Sequence, residues 1–381
     1  MSHAILSASG AHKWMNCPPS ARLEEKIPST QTEYTMEGTL AHNLGEITLK
    51  KELGEITTRK FNSELKKIQE DKLYTADMPD YVDIYVSTCM EKVAEAKATT
   101  PDAVFKVEQR LDFSKWVPDG FGTGDFVVIA DGTMEICDLK YGKGVPVSAK
   151  NNPQMMLYAL GALSEFEFLY DIEKVRMTII QPRLDSISSF EITADELLEW
   201  GEKEVKPLAE LAFKGEGEFQ AGEHCQFCKV KANCRKRAEL NMELAKKEFT
   251  PGPQLDENEI ADILKKVDAL VKWATDVKDY ALEQALQGTI YPGFKVVEGR
   301  SNRKWTDEDA IGKILLEQGF QESIIYTKKL TGITNMETAI GKKEVNRLLG
   351  NYIIKPPGKP TLVPESDKRE PYNPAAADFL G

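Results

Sequence analysis

The chain has 381 residues, 29% of them charged and 41% hydrophobic, and a net charge of −12. This composition is typical of a folded globular protein, and no apolar run approaches the roughly 18 residues of a membrane span. The acidic total argues against nucleic-acid binding through the whole surface, but a local basic patch can still bind nucleic acid.

The N-terminal sequence MSHAILSASGAHKW has neither a long apolar core nor a signal-peptide cleavage pattern. We therefore expect a cytoplasmic protein without a membrane partner. In that compartment the six cysteines favour metal ligands, reactive thiols or core positions over disulfides. The length suits one large core or two domains.

In chain order, hydrophobic spacing predicts two helices, three strands, a helix, two strands and a further helix. The helical patterns cover 35–53, 78–98, 152–166 and 194–213, and the strand patterns cover 103–113, the hairpin at 122–144, 175–183 and 186–193. This order predicts an α/β fold, with a mixed central sheet flanked by helices.

The remaining chain is predicted to form a mostly helical accessory region. A Pro-rich and acidic stretch at 248–259 marks the boundary. We expect a first domain over 1–247, an accessory region over 258–355 and an extended or disordered tail over 356–381. Within the accessory region, a long amphipathic helix is followed by the strand-like sequence GFKVVEGRSNRKW and by short helices.

The predicted hairpin contains two aspartates in an unfavourable arrangement. Asp131-Gly132 is a two-residue turn signal, and counting outward from it pairs Asp125 with Asp138. Cross-strand partners lie about 4.5–5.5 Å apart at Cβ, so two like charges there are destabilising. A divalent cation between the two carboxylates would offset that cost. The competing interpretation is a surface hairpin whose acids diverge through twist.

Lys140 lies two residues after Asp138, so both side chains point to one face of the strand while Leu139 points to the other. Two carboxylates suit Mg²⁺ or Mn²⁺, which can polarise a phosphoryl oxygen and activate a water. The ammonium can position that water or stabilise charge that develops on the phosphate.

Four further residues support a site here. Gln154 and Tyr158 share one face of the next helix and can donate hydrogen bonds to a phosphate or a base edge. They could also be a satisfied interior amide and an amphipathic tyrosine. His42 on an earlier helix could be a nitrogen ligand, although a lone helical histidine is usually structural. Glu108 on the first strand is an extra acid with weaker support.

The ordered set of motifs resembles the RecB-like branch of the PD-(D/E)XK nuclease superfamily over roughly residues 1–240. The four motifs are G-x-x-x-H at Gly38 to His42, G-x-x-D at Gly122 to Asp125, (D/E)-x-K at Asp138 to Lys140 and Q-x-x-x-Y at Gln154 to Tyr158. Each motif is weak alone, and their shared order is specific. The resemblance implies a restriction-endonuclease-like core.

The resemblance also assigns roles. It implies that Asp125, Asp138 and Lys140 are catalytic and that Gln154 and Tyr158 hold DNA. The metal ligands that it implies are His42, Asp125, Asp138 and the carbonyl of Leu139.

Three cysteines in CQFCKVKANC have the spacing of a metal or cluster site. They are Cys225, Cys228 and Cys234, and Cys17 is the natural fourth. The RecB-like subgroup that includes AddB and CRISPR-associated exonucleases has one such cysteine before the core and three after it. The similarity implies a [4Fe–4S] cluster that joins the two segments, with Zn²⁺ and a His224 ligand as the alternative.

Five basic residues and no acid lie between Lys229 and Arg237, a pattern that can bind phosphate backbone or form a solvated helix start. We expect Lys229, Lys231 and Arg235 to contact DNA. In GRSNRKW, at 299–305, the tryptophan could stack on a base.

The sequence therefore predicts a metal-dependent DNA nuclease, of exonuclease type. The alternative is a non-catalytic DNA-binding module that retains the fold. The whole chain resembles a phage-associated group of this superfamily, which implies end processing in DNA recombination in a bacterial host cytoplasm. In that setting, a single-strand annealing or single-strand-binding protein would be the partner.

Overall fold

The structure, a computed structural model, describes residues 4–28, 32–168, 170–245, 255–297, 307–319, 321–326 and 330–354. These residues contain one mixed sheet of five strands in the order β1-β2-β3-β4-β5. The strands are β1 (Val104–Asp112), β2 (Phe121–Ala130), β3 (Gly132–Leu139), β4 (Ile172–Gln181) and β5 (Ser186–Thr193). Helices flank the sheet, so the predicted α/β class with a mixed sheet is confirmed.

The pairing of β3 with β4 is parallel, and the other three pairings are antiparallel. Parallel neighbours need a crossover, which the helix between β3 and β4 supplies. The tight β2–β3 turn uses Gly132, whose φ of 72° lies in the left-handed region that glycine tolerates. Its register is the predicted one, with Ala130 opposite Thr133 and Phe126 opposite Cys137.

Described helices before β1 are α1 (Ala11–Asn16), α2 (Ser20–Glu25), α3 (Glu33–Glu52), α4 (Thr58–Gln69) and α5 (Met78–Thr99). The helix between β3 and β4 is α6 (Pro153–Phe166), and α7 (Ala194–Trp200) and α8 (Lys206–Lys214) follow β5. A π-helical segment, Gly201–Val205, joins α7 to α8 where one uninterrupted helix was predicted. The prediction also lacked α4, whose strongly polar sequence packs few residues inward.

Alternation along the strands divides the core between two helical layers. On one face, Val127 and Ile129 pack with α6, and on the other, Phe126, Cys137 and Leu139 pack with α3 and α5. Cys89 and Cys137 are both fully buried, which is one of the roles that the composition favours for the cysteines. Asp138, between Cys137 and Leu139, therefore lies on the face that α6 covers.

The C-terminal part contains α9 (Arg235–Ala245), α10 (Glu257–Leu286), α11 (Glu308–Glu317), α12 (Glu322–Ile325), α13 (Ile333–Ile340) and α14 (Lys342–Leu349). Helix α14 meets the start of α5, where the Lys343 backbone N–H donates to Asp80 (3.2 Å). Among the described residues, no helix is long and apolar enough to cross a membrane.

Part of the predicted C-terminal pattern differs from the structure or lies outside it. Residues 293–297 of the strand-like sequence form a turn and irregular chain. The basic stretch at 299–305 with its tryptophan, most of the predicted boundary and the tail at 356–381 lie outside the described residues. The domain limits stay predictions.

Candidate metal centre and cysteine site

The candidate metal centre lies where the middle of α3 approaches β1 and β2. His42, Glu108 and Asp125 come from α3, β1 and β2, and one ligand atom of each lies within 4.8 Å of the others. His42 Nδ1 is 3.3 Å from Asp125 Oδ2. The same carboxylate oxygen accepts a 2.7 Å hydrogen bond from the backbone N–H of Leu139. The hydrogen bond from β3 thus fixes the Asp125 carboxylate, and the His42 imidazole contacts the same oxygen.

Glu108 joins this cluster because β1 is locally irregular. Its φ is 53°, in the left-handed region that non-glycine residues rarely adopt. The β1–β2 ladder pairs Val107 with Phe126 and Gln109 with Gly124, so Glu108 lies at the level of Asp125. Positive-φ residues cost of order 1–3 kcal/mol and cluster at functional sites. The distortion therefore places an acid beside the other two ligands.

Asp138 and Lys140 form a second group next to the first. Lys140 Nζ lies 2.9 Å from Asp138 Oδ2 and donates to Oδ1 at 3.3 Å and to Gln154 Oε1 at 3.1 Å. The Gln154 amide in turn donates to Tyr158 Oη at 3.2 Å. The four predicted residues are thus one hydrogen-bonded chain from β3 to α6. Asp138 is not part of the group of three ligand atoms within 4.8 Å.

Glycines in β2 let α6 approach this chain. A Cβ on Gly122 would lie 2.6 Å from the Tyr158 ring, and one on Gly124 would lie 2.9 Å from Leu111. The first contact cannot be accommodated without moving the tyrosine, and the second would displace the end of the leucine side chain. The G-x-x-D motif therefore combines the ligand Asp125 with the space that Tyr158 needs.

Burial and charge perturb the pKa values of these groups strongly. Burial lowers the pKa of His42, but the Asp125, Asp138 and Glu108 carboxylates outweigh it and raise the pKa to about 9. Burial and the nearby Asp125 raise the pKa of Glu108 to about 7. Burial also raises the pKa of Asp138, against the effect of Lys140. The acids are crowded and desolvated, and a further positive charge would relieve that crowding.

The donor set fits a hard divalent cation. Carboxylate oxygens and one imidazole suit Mg²⁺ or Mn²⁺. Asp138 Oδ2 is buried and accepts no well-directed hydrogen bond within the described structure, although it lies close to Lys140. A buried carboxylate oxygen without such a hydrogen bond can still coordinate a cation. The carbonyl of Leu139 stays a predicted ligand.

The cysteine site lies at the junction of the N-terminal segment and the chain before α9. Cys17, Cys225, Cys228 and Cys234 line one cavity, which His224 also lines. All are free thiols, and burial raises the pKa of Cys228 to about 12. The pKa of His224 is raised, first of all by its contact with Cys17.

Four thiols around one cavity fit a tetrathiolate group, because a cation would bind them as thiolates that burial otherwise disfavours. Lys13 and Arg237 also line the cavity and can balance the negative charge of thiolates. The set suits a [4Fe–4S] cluster, and zinc with His224 in place of one sulfur fits the same residues.

A carboxylate already joins the two segments that carry these cysteines. Glu24 forms an ion pair with Lys13 and accepts a 2.6 Å hydrogen bond from the backbone N–H of Lys229. Arg22 donates from Nε to the Phe213 carbonyl at 2.6 Å. The segment that carries Cys17 is therefore held against the end of the domain by side chains as well.

The predicted basic patch is largely engaged within the chain. Lys229 Nζ donates to the Ile27 carbonyl at 2.7 Å. Lys231 and Arg237 pair with Asp276 of α10 at 3.1 and 2.7 Å. Arg235 is exposed at the start of α9. The two pairs with Asp276 dock α10 onto the domain, and DNA binding by Lys231 would compete with them. DNA binding by Lys229 would compete with its hydrogen bond to Ile27.

Glu108 is a candidate metal ligand for which the sequence gives only weak support. In the sequence it is one of several alternating polar positions of a strand, and its place beside His42 and Asp125 is visible only in the structure. The available signal was its register: it falls opposite Asp125 when β1 is aligned with β2.

The chain belongs to the DUF2800 family, described as a protein of unknown function, whose family model matches residues 3–370. The match spans the sheet, both candidate sites and the C-terminal helices.

Proposed function

We propose that this DUF2800 protein is a metal-dependent DNA nuclease with a PD-(D/E)XK-type core, and that its four-cysteine site holds a [4Fe–4S] cluster. The observation that supports the activity most is the juxtaposition of an acid–imidazole group with a buried Asp–Lys pair. His42, Glu108 and Asp125 form the first, and Asp138 and Lys140 form the second. The order of motifs and the mixed sheet are compatible with this fold.

His42, Glu108, Asp125 and Asp138 would hold Mg²⁺ or Mn²⁺. The ion, when bound, supplies Lewis-acid polarisation of the scissile phosphate and an acidified water. Lys140 presents its ammonium beside these acids and can stabilise charge that develops on a phosphate oxygen. Gln154 holds Lys140 through a 3.1 Å hydrogen bond and can contact the neighbouring phosphate.

The rival proposal is a DNA-binding module without catalysis. A module that only binds phosphate has no use for a desolvated cluster of acids, because carboxylates repel the backbone. The strained φ of Glu108 and the raised pKa values of Glu108 and Asp138 are costs that a cation offsets. This balance favours the nuclease.

The test uses linear DNA labelled at one end, in single- and double-stranded form, with Mn²⁺, Mg²⁺ or EDTA. We expect cleavage that requires the metal, and stepwise shortening from an end would identify an exonuclease. Metal-independent binding of both substrates without cleavage would support the rival. DNA end processing beside a single-strand annealing protein is part of the proposal and requires a separate pull-down.

A further inference from the structure

A pocket that the proposed chemistry does not use opens at the first turn of α6. It has a volume of about 460 Å³, within the roughly 300–1,000 Å³ that ligand pockets span. Trp200, Met156 and Ile192 are among its apolar walls. His12 and Asn16 line another part of it, together with Asn151.

The local backbone around this pocket is unusual on two sides. Trp200 ends α7 and is followed at once by the π-helical segment Gly201–Val205. Such segments are rare in helices and occur frequently at functional sites. Asn151 has a φ of 52°, in the left-handed region. The pocket is thus built by two uncommon conformations that come from separate parts of the chain.

The π-helical segment is fixed against the core. A Cβ on Gly201 would lie 2.9 Å from Trp116 Nε1 and 3.1 Å from Leu160. The close approach holds this helix against α6, so the position of Trp200 relative to the start of α6 is set by packing. A ligand would therefore meet the Trp200 indole in a position that packing has already fixed.

The charge of the lining selects against a phosphate. Within the described residues, the lining contains one acid, Glu204, and no lysine or arginine. A carboxylate repels anions but accepts hydrogen bonds from amino groups. Together with an indole, an imidazole, two thioethers and two side-chain amides, it suits a neutral, flat molecule with polar edges. A nucleobase has that chemistry, since every base offers a π-face and hydrogen-bonding edges.

The position of the pocket connects it to the candidate metal centre. Pro153 lines the pocket, and the next residue, Gln154, hydrogen-bonds Lys140. Met156 is less than one turn further along α6, and a turn rises about 5.4 Å. Gln154 and Met156 project to different sides of α6, so a strand with a phosphate beside Lys140 would bring a neighbouring base into the pocket by passing over the N-terminal end of this helix.

We infer that this pocket binds one unpaired base of the substrate strand, so that the DNA is single-stranded where it passes α6. The inference rests on the proposed nuclease function and adds a substrate class to it. A paired base is excluded because its edges are hidden in the duplex. Trp200 supplies the stacking surface, and the polar lining contacts the base edge.

The test measures binding of fluorescein-labelled single strands by anisotropy in Ca²⁺, with each strand checked for integrity afterwards. A series of strands carries one abasic residue at successive positions. The wild type should lose about tenfold in affinity, or about 1.4 kcal/mol, at one position of the series. Trp200→Ala should bind intact DNA about tenfold more weakly and should no longer sense that position.

Two further variants keep the result interpretable if Trp200→Ala folds poorly. Trp200→Phe should restore most of the affinity and the positional effect, because phenylalanine also stacks. Phe168→Ala removes an 88% exposed aromatic beyond the other end of α6 and should change nothing.

Equal binding of all abasic strands by the wild type would overturn the pocket assignment. So would cleavage of duplex DNA with no preference for single strands. Either result leaves the nuclease proposal intact as long as metal-dependent cleavage is seen. The absence of both DNA binding and cleavage would instead refute the proposed function.

Discussion

Replacing Glu108 by Gln should stabilise the metal-free protein. Its pKa is raised from 4.5 to about 7, because the folded state disfavours the carboxylate through burial and through Asp125. A raised acid pKa means that the fold loses stability as the pH rises from the unfolded value through the folded one. At pH 8 the shift corresponds to at most about 3 kcal/mol. Gln keeps the buried polar surface and the strained φ, so we expect a gain of about 1–2 kcal/mol.

For a domain of this size that gain raises the melting temperature by about 2–8 °C. The assay is a melting curve at pH 8 in EDTA and again in Mn²⁺. Mn²⁺ at a hundredfold excess over its dissociation constant should stabilise the wild type by about 2.7 kcal/mol, and the variant much less. Glu165→Gln, in an exposed acid near Gln109, is the matched control and should change neither value. A variant that melts lower in EDTA, or keeps the full Mn²⁺ effect, would refute the assignment of Glu108.

Three further predictions concern the same two sites. Lys140→Ala should reduce cleavage by at least about a hundredfold and destabilise the EDTA form, while Mn²⁺ still stabilises it, because the ion replaces the lost cation beside Asp138. In EDTA, stability should fall from pH 6 to pH 9, because the folded state binds the protons of His42 (pKa about 9) and Glu108 (pKa about 7) more tightly than the unfolded state does. Melting curves that are flat or rise over this range would contradict this. Cys17→Ser should lose bound iron as completely as Cys225→Ser by metal analysis of anaerobically purified protein, whereas the core variant Cys89→Ala should keep it. Stoichiometric zinc without iron would favour the zinc site.

Much of the fold could be predicted because its signals are local. The Asp131-Gly132 turn fixes the register of the hairpin, and alternation then assigns Asp138 and Cys137 to opposite faces. The apolar run of α6 and its Asn152 cap are equally local. Helix α4 was missed because its sequence is mostly polar, and burial of a single isoleucine decides its position.

The candidate site was only partly predictable, because tertiary contacts distribute its charges. Sequence spacing placed Asp125 and Asp138 opposite each other, but it could not show that Asp125 engages His42 while Asp138 engages Lys140. Nor could it show that Asp276, far along the chain, pairs with Lys231. The four cysteines that line one cavity are the predicted set. Their clustering depends on contacts between distant segments, such as the hydrogen bond from Lys229 to Glu24.

A nuclease that depends on Asp138 is distinguished from a DNA-binding module by the cleavage rate of end-labelled DNA in Mn²⁺. The rate is compared between the wild type, Asp138→Asn and the matched control Asp131→Asn. Asp131 lies in the turn of the same hairpin and should be replaceable without effect. We expect wild-type rates for the control and a loss of at least about a thousandfold for Asp138→Asn, with the fold intact by melting. Near wild-type cleavage by Asp138→Asn would contradict it.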